Sequence, residues 1–124
     1  MEGSLTTAAL LLAGDQLTIA TTGDPADRQV LAAGEVDLCT AGRLAAAIDA
    51  ALAAGTGELL LDLTAVIFFG AAGVRAVAGA ARRAEASGVR LRVRTSAAAA
   101  RWPLQAGGLG PLLDGHRSPA GAAA

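Results

Sequence analysis

The stretch that decides the fold is Glu58-Leu-Leu-Leu-Asp-Leu-Thr-Ala-Val-Ile-Phe-Phe-Gly-Ala-Ala-Gly-Val-Arg75, which has the pattern of a buried strand followed by the start of a helix. Between Leu59 and Leu63 only Asp62 is polar, so the run is too apolar for a half-exposed strand and too short for a helix. We therefore predict a strand in the middle of a sheet. The glycines of Gly70-Ala-Ala-Gly73 then mark a helix start, where outward-pointing backbone N–H groups commonly serve function in α/β proteins.

The composition of the 124 residues limits the function classes. This length suits one domain with one core. Ten basic residues, all arginine, and eleven acidic ones give a net charge of −1, which is not the electrostatic pattern of a nucleic-acid binder. With one cysteine, Cys39, and one histidine, His116, the chain offers neither an internal disulfide nor a metal-ligand spacing. We expect no metal, no cofactor and no direct nucleic-acid contact.

The sequence also gives expectations for the cellular location of the protein and for the limits of its domain. No apolar run approaches the roughly 20 residues of a membrane span, and the first residues do not resemble a signal peptide. We therefore expect a cytoplasmic protein without membrane insertion. We assign residues 1–7 to a flexible N-terminus, residues 8–115 to the domain and residues 116–124 to a disordered C-terminal tail.

Two strands are predicted before the first helix. The segments from Leu17 to Thr21 and from Gln29 to Ala33 have an extended pattern, and the turn composition from Gly23 to Asp27 predicts an antiparallel pair. An earlier run from Ala8 to Ala13 fits either a first edge strand or the start of a short helix.

Helical periodicity identifies the first two helices. Leu44, Ile48 and Leu52 recur at a spacing of four after either Thr40 or Asp37 as the N-cap, and Gly55 is the expected stop. The second helix runs from Ala71 to Ser87. Its apolar face consists of Val74, Val77, Ala81 and Ala84.

The last part of the chain predicts one more strand and one more helix. The segment from Val89 to Arg94 alternates apolar residues with arginines, which predicts a strand with a solvated arginine face. Ser96 can cap a third helix, and Pro103 should end or kink it. Leu109, Leu112 and Leu113 should dock against the domain. The fold class is thus α/β, with a mixed sheet of four or five strands and helices mainly on one face.

Five motifs in matching order resemble a STAS domain of the anti-sigma factor antagonist type. The resemblance extends from about Leu17 to Leu113. The motifs are Gly34-Glu-Val-Asp37, Leu60-Leu-Asp-Leu-Thr-Ala-Val-Ile-Phe68, Gly73-Val74, Arg82-Arg-Ala-Glu-Ala-Ser-Gly88 and Gly108-Leu-Gly-Pro-Leu-Leu113.

The resemblance implies a phosphorylation loop that is degenerate in this chain. The family loop reads Asp-Ser-Ser-Gly, and a partner anti-sigma factor that is also a kinase phosphorylates its second serine, which ends binding. The corresponding residues are Gly70, Ala71, Ala72 and Gly73. Helix formation tolerates glycine and alanine there, but phosphoryl transfer needs a hydroxyl oxygen that the methyl group of Ala72 does not supply.

The resemblance therefore implies a regulatory binding module for a kinase-type anti-sigma factor, without phospho-control. The partner surface is expected to comprise Asp37, Thr40, Phe69, Ala72, Val74 and Arg75. The alternative is a STAS scaffold, acting either as a partner of another STAS protein or assembly or as an accessory subunit that docks on the ATPase of an ABC lipid transporter. Homodimerisation is compatible with either role. An enzyme or nucleotide binder using the helix end is disfavoured, because histidine, cysteine and paired carboxylates are in short supply.

Single residues near the loop also receive an interpretation. We expect Phe68 in the core and Phe69 at the rim as a partner contact. Asp62 should bond backbone at the strand end, and Cys39 should be a small buried residue. Of the arginines, Arg75 is the one expected to contact a partner, because it lies one helical turn from the loop.

Overall fold

The computed structural model describes residues 16–95 and 98–114. The strands are β1 (Leu17–Asp24), β2 (Asp27–Val36), β3 (Glu58–Phe69) and β4 (Arg90–Arg94). The helices are α1 (Ala41–Ala53), α2 (Ala71–Ala86), α3 (Ala98–Ala106) and a 3-10 turn (Gly110–Leu112). The predictions for residues 8–13, for Ser96 and for both termini lie outside the described residues.

The sheet is mixed and β3 lies inside it. The strand order is β1-β2-β3-β4, with β1 antiparallel to β2 and with β3 parallel to both of its neighbours. Leu60 and Leu61 are both buried. The predicted α/β class and the central position of the Glu58–Leu63 segment are confirmed.

The hairpin between β1 and β2 closes around Pro25 and Ala26, as the turn composition predicts. The carboxylate of Asp24 accepts hydrogen bonds from the N–H groups of Ala26 and Asp27, at 3.0 and 3.1 Å. Gly23 has a φ of +94°, a backbone conformation that favours glycine. The resulting register pairs Leu17 with Gly34.

One apolar core joins the helices to one face of the sheet. Leu59, Leu61 and Leu63 belong to this core, whereas Leu60 points to the opposite face because side chains alternate along a strand. The buried helix residues include Leu44 and Ile48 of α1, Val77, Ala80 and Ala84 of α2, and Leu104 of α3. Helices α1 and α2 pack against each other, and Arg83 donates to Asp49 across their exposed side at 2.6 Å.

Strand β3 is longer than predicted. It continues to Phe69, and its register with β2 shifts twice, once between Leu31 and Ala33 and again between Gly34 and Glu35. Each shift places one extra residue on β3, as in a β-bulge. Asp62 lies beside the first bulge, where its carboxylate accepts from the N–H and the hydroxyl of Thr64 at 2.9 and 2.7 Å. Its predicted role as a backbone acceptor is confirmed, but its predicted position at the strand end is wrong because β3 continues to Phe69.

Helix α3 does not end at Pro103. It continues to Ala106, so of the two predicted outcomes, a boundary or a kink, the boundary is wrong. Proline removes only its own N–H group, and its carbonyl still accepts from the N–H of Gly107 at 2.9 Å, which closes the next turn. Further on, Leu113 is buried and bridges to Val93, so the expected docking of this segment is confirmed.

The arginine face of β4 is not simply solvated. Arg92 donates to Asp114 at 2.8 Å and lies 3.4 Å from a Glu58 oxygen, and Arg94 lies 3.4 Å from Asp114. The hydrogen bond from Arg92 holds the pKa of Asp114 below its ordinary value, although partial burial opposes this shift. These ion pairs attach the end of the domain to the edge of the sheet.

Candidate functional site: the loop between β3 and α2

The candidate site lies where the parallel strands β2 and β3 end together. Val36 pairs with Phe69, the last residue of β3, and the carbonyl of Val36 accepts a hydrogen bond from the N–H of Gly70 at 2.8 Å. Two loops therefore lie side by side at this carboxyl edge of the sheet. One is the Asp37–Thr40 loop before α1, and the other is the Gly70 turn before α2.

Gly70 is the N-cap of α2. Its backbone is extended, and its carbonyl accepts from the N–H groups of Gly73 and Val74 at 2.9 and 3.2 Å, without a side-chain cap. Ala71 is exposed and Ala72 is partly buried. The turn therefore presents only backbone and methyl groups, and it forms without the aspartate that the resemblance implies at its first position.

Gly73 is the point of closest packing in this turn. A Cβ atom added there would lie 2.8 Å from Cγ1 of Val36 and 2.9 Å from Cζ of Phe69. Cβ atoms in proteins essentially never approach that closely, so the contact requires glycine. This glycine lets the first turn of α2 rest directly on the ends of β2 and β3.

The ring of Phe68 covers the position of a side chain at residue 70. A Cβ atom at Gly70 would lie 3.2 Å from Cε2 and 3.5 Å from Cζ of Phe68. The prediction for the two phenylalanines is wrong, because Phe68 is 51% exposed and Phe69 is only 3% exposed. Simple alternation along the strand places Phe69 on the face of Leu63, so it enters the core.

The second loop is held by Asp37 and Thr40. The Asp37 carboxylate accepts from the N–H groups of Cys39 and Thr40 at 2.9 and 3.0 Å. The Thr40 hydroxyl donates to the carbonyl of Glu35 at 2.8 Å and accepts from the N–H of Asp37 at 2.9 Å. Thr40 is buried, so it acts by fixing the loop.

This arrangement turns apolar side chains outward. Leu38 is 82% exposed and Ile67 is 73% exposed. Cys39 is also exposed, so its expected burial is wrong. Sequence reasoning missed Leu38 and Ile67 because large aliphatic residues usually lie in the core. The one available signal was that Leu38 lies between Asp37 and Thr40, which are hydrogen-bonded to each other. Arg75 is exposed one turn into α2, as predicted.

Within residues 16–95 and 98–114, no three histidine, cysteine, aspartate or glutamate side chains form a group able to hold a metal ion. Over the same residues, no helix has the length and apolarity needed to cross a membrane.

Comparison with known proteins assigns the family. A family model described as "Mlab, STAS domain" matches residues 19–114, which is most of the chain. No curated protein matches the sequence.

Solved structures of antagonists have the same fold. An anti-sigma factor antagonist from Mycobacterium paratuberculosis is 26% identical, with 86% of this chain and 91% of that chain covered, at a TM-score of 0.72. The unphosphorylated form of the anti-sigma factor antagonist SpoIIAA is 22% identical, with coverage of 77% and 85% and a TM-score of 0.68. The phosphorylated form of the Bacillus protein SpoIIAA gives 21% identity, coverage of 77% and 88%, and a TM-score of 0.63. The mixed sheet, the turn at its carboxyl edge and the match over residues 19–114 together show that this chain belongs to the STAS domain family.

Proposed function

We propose that this chain is a regulatory binding module of the antagonist type, which binds a kinase-type anti-sigma factor through the carboxyl edge of its sheet and is not controlled by phosphorylation. The observation that carries the proposal is the Gly70-Ala-Ala-Gly73 turn. It keeps a strand-to-helix connection and the tightly packed Gly73, but it has no acceptor hydroxyl. The role is not enzymatic, and it implies a bacterial cytoplasmic location.

The loss of phospho-control follows from chemistry at residue 72. Phosphoryl transfer requires an oxygen nucleophile, and Ala72 has a methyl group there. A phosphate would add almost two negative charges, and removing those charges from water against a partner costs affinity. Because Ala72 cannot acquire this charge, binding is constitutive.

The residues of the proposed surface have different tasks. Asp37 and Thr40 fix the first loop through their hydrogen bonds. Phe69 supports the turn from the core beneath Gly73. Ala72, Val74 and Arg75 are the members of the original set that remain for partner contact, since each lies in the first turns of α2 and none is fully buried.

The test is a titration against kinase-type anti-sigma factors from the same genome, with and without ATP. We expect one of them to bind the purified chain, with the same affinity after incubation with ATP and with no phosphate detected by intact-mass measurement. Binding that ATP abolishes would contradict the proposal. It would show that another hydroxyl, for example that of Thr64, has taken over the role of the missing serine.

A second candidate function is the accessory-subunit role, in which the domain docks on the ATPase of an ABC transporter. The matching family model leaves this role open, because its description, "Mlab, STAS domain", does not name an anti-sigma factor antagonist. Affinity purification of the tagged chain from its native cells separates the two candidates. Recovery of an ABC ATPase in place of an anti-sigma factor would decide for the second.

A further inference from the structure

Three large apolar side chains are exposed on the two chain segments that meet at the carboxyl edge of the sheet. Leu38 is 82% exposed, Ile67 is 73% exposed and Phe68 is 51% exposed. Leu38 lies two residues after Val36, and Phe68 lies two residues before Gly70, which is hydrogen-bonded to Val36 at 2.8 Å. We call these three residues the apolar edge. Exposed apolar groups of this kind commonly mark an interaction site when they occur together and not singly.

Ordered backbone holds the apolar edge outward. The Asp37 and Thr40 hydrogen bonds close the loop that carries Leu38. The second bulge of β3 places Ile67 outside the register with β2, so that Ile67 and its neighbour Phe68 are both exposed while Phe69 enters the core. The side chains are therefore presented on a fixed frame, which lowers the entropy lost on binding.

Charge is scarce at this edge. The Asp37 carboxylate is occupied by backbone N–H groups, and the Phe68 ring lies over Gly70, where the resemblance implies an aspartate. Arg75 contributes a positive charge at the rim, and Glu35, which pairs with Phe68 across the sheet, contributes a negative one. An edge of this kind suits an apolar protein surface better than a lipid membrane, because peripheral membrane binding usually draws on a cluster of basic residues.

We infer that the apolar edge is the main anchor for the partner and that it takes an apolar groove on a protein, so that affinity comes from apolar burial and depends little on salt. This inference rests on the proposed function, since it assumes that the anti-sigma factor meets the carboxyl edge. It adds Leu38, Ile67 and Phe68, which the expected contact set did not contain.

The experiment measures the affinity of the kinase-type anti-sigma factor for four proteins: wild type, Phe68→Ala, Ile67→Ala and Thr22→Ala. Thr22 is an exposed residue of the hairpin at the opposite end of the sheet, so it serves as the control. We expect Phe68→Ala to weaken binding about tenfold or more and Ile67→Ala to weaken it several-fold, with Thr22→Ala unchanged. Between about 50 and about 500 mM sodium chloride, the wild-type affinity should change less than about threefold.

Circular dichroism confirms that each variant is folded before its affinity is compared. If wild type binds and the two apolar variants bind equally well, the inference is overturned while the proposed function stands. A steep salt dependence of wild-type binding would also overturn it. If wild type binds no kinase-type anti-sigma factor, the proposed function fails together with the inference. Sedimentation of wild type with phosphatidylcholine vesicles, lost in Phe68→Ala, would replace the protein partner with a membrane.

Discussion

At the scale of single residues, the two glycines of the turn have different tasks. Gly70 can be replaced if the half-exposed ring of Phe68 moves aside, because only that ring crowds the Cβ position. Gly73 cannot be replaced without a clash, because an added Cβ atom would lie 2.8 Å from Val36 and 2.9 Å from the buried Phe69. Sequence reasoning placed both glycines at the helix start, but it could not tell them apart, since the crowding depends on side chains that are distant in sequence.

We predict that Gly73→Ala destabilises the protein although alanine favours helix. The clash with Val36 and Phe69 should cost about 1–3 kcal/mol, typical of overpacking, against a helix-propensity gain of about 1 kcal/mol. Gly42→Ala in α1 is the matched control, because no heavy atom lies within 4 Å of its added Cβ. It should raise the free energy of unfolding by roughly 0.5–1 kcal/mol. Urea denaturation measures both, and a stabilised Gly73→Ala would refute the packing argument.

At the scale of elements, the apolar run from Leu59 to Leu63 was sufficient to place β3 in the sheet. Its continuation was not predicted, because the bulges arise from the register with β2 and leave no mark in the local pattern. The burial of Phe69 did not depend on the bulges, because simple alternation from Leu63 also places Phe69 on the core face. The continuation of helix α3 beyond Pro103 was also not predicted. It is possible because the carbonyl of Pro103 still accepts a hydrogen bond from the N–H of Gly107.

We predict that the ion pair between Arg92 and Asp114 adds a pH-dependent term to stability. The pKa of Asp114 is lowered in the folded state, first by the hydrogen bond from Arg92. The stabilisation is therefore present above the unfolded pKa of an aspartate, about 3.9, and is lost as pH falls through the lower folded pKa. Asp114→Asn should cost at most about 1 kcal/mol at neutral pH, because both side chains are partly exposed to water.

Urea denaturation of wild type and Asp114→Asn at several pH values checks this. The difference between the two should shrink as the pH falls below about 4. A difference that stays constant from neutral to acidic pH would show that the asparagine acts through packing and not through charge. Glu58→Gln compares the second ion pair of Arg92 with the first. The Arg92–Glu58 contact is 3.4 Å and the Arg92–Asp114 contact is 2.8 Å, so Glu58→Gln should change the free energy of unfolding less than Asp114→Asn.

At the scale of the whole molecule, the order of elements could be predicted because each helix and strand has its own periodicity and its own glycine stop. Parallel strands joined by helices then leave few topologies, since such crossovers are nearly always right-handed. The candidate edge of the sheet followed from the same order. Its chemistry did not, because the exposure of Leu38 and Ile67 depends on how two loops meet.

We predict that Ala72→Glu weakens partner binding with little change in the stability of the fold. Residue 72 is the second residue of α2, and a carboxylate in the first turn interacts favourably with the helix dipole. Ala72 is partly buried against the core, so the dipole gain offsets only part of the cost of placing a carboxylate there. The free energy of unfolding should therefore change by less than about 1 kcal/mol, and measuring it separates an effect on binding from an effect on folding. At the interface, however, the new charge must leave water, and we expect affinity to fall about tenfold or more.

Thr22→Glu adds the same charge at the far end of the sheet and is the control for this prediction. Titration calorimetry against the kinase-type anti-sigma factor should find Thr22→Glu equal to wild type and Ala72→Glu weaker. If the two glutamate variants bind alike, the charge at residue 72 does not meet the partner. The turn would then lie outside the interface. That result would favour the accessory-subunit role, in which Gly70-Ala-Ala-Gly73 is only a tightly packed connection between β3 and α2.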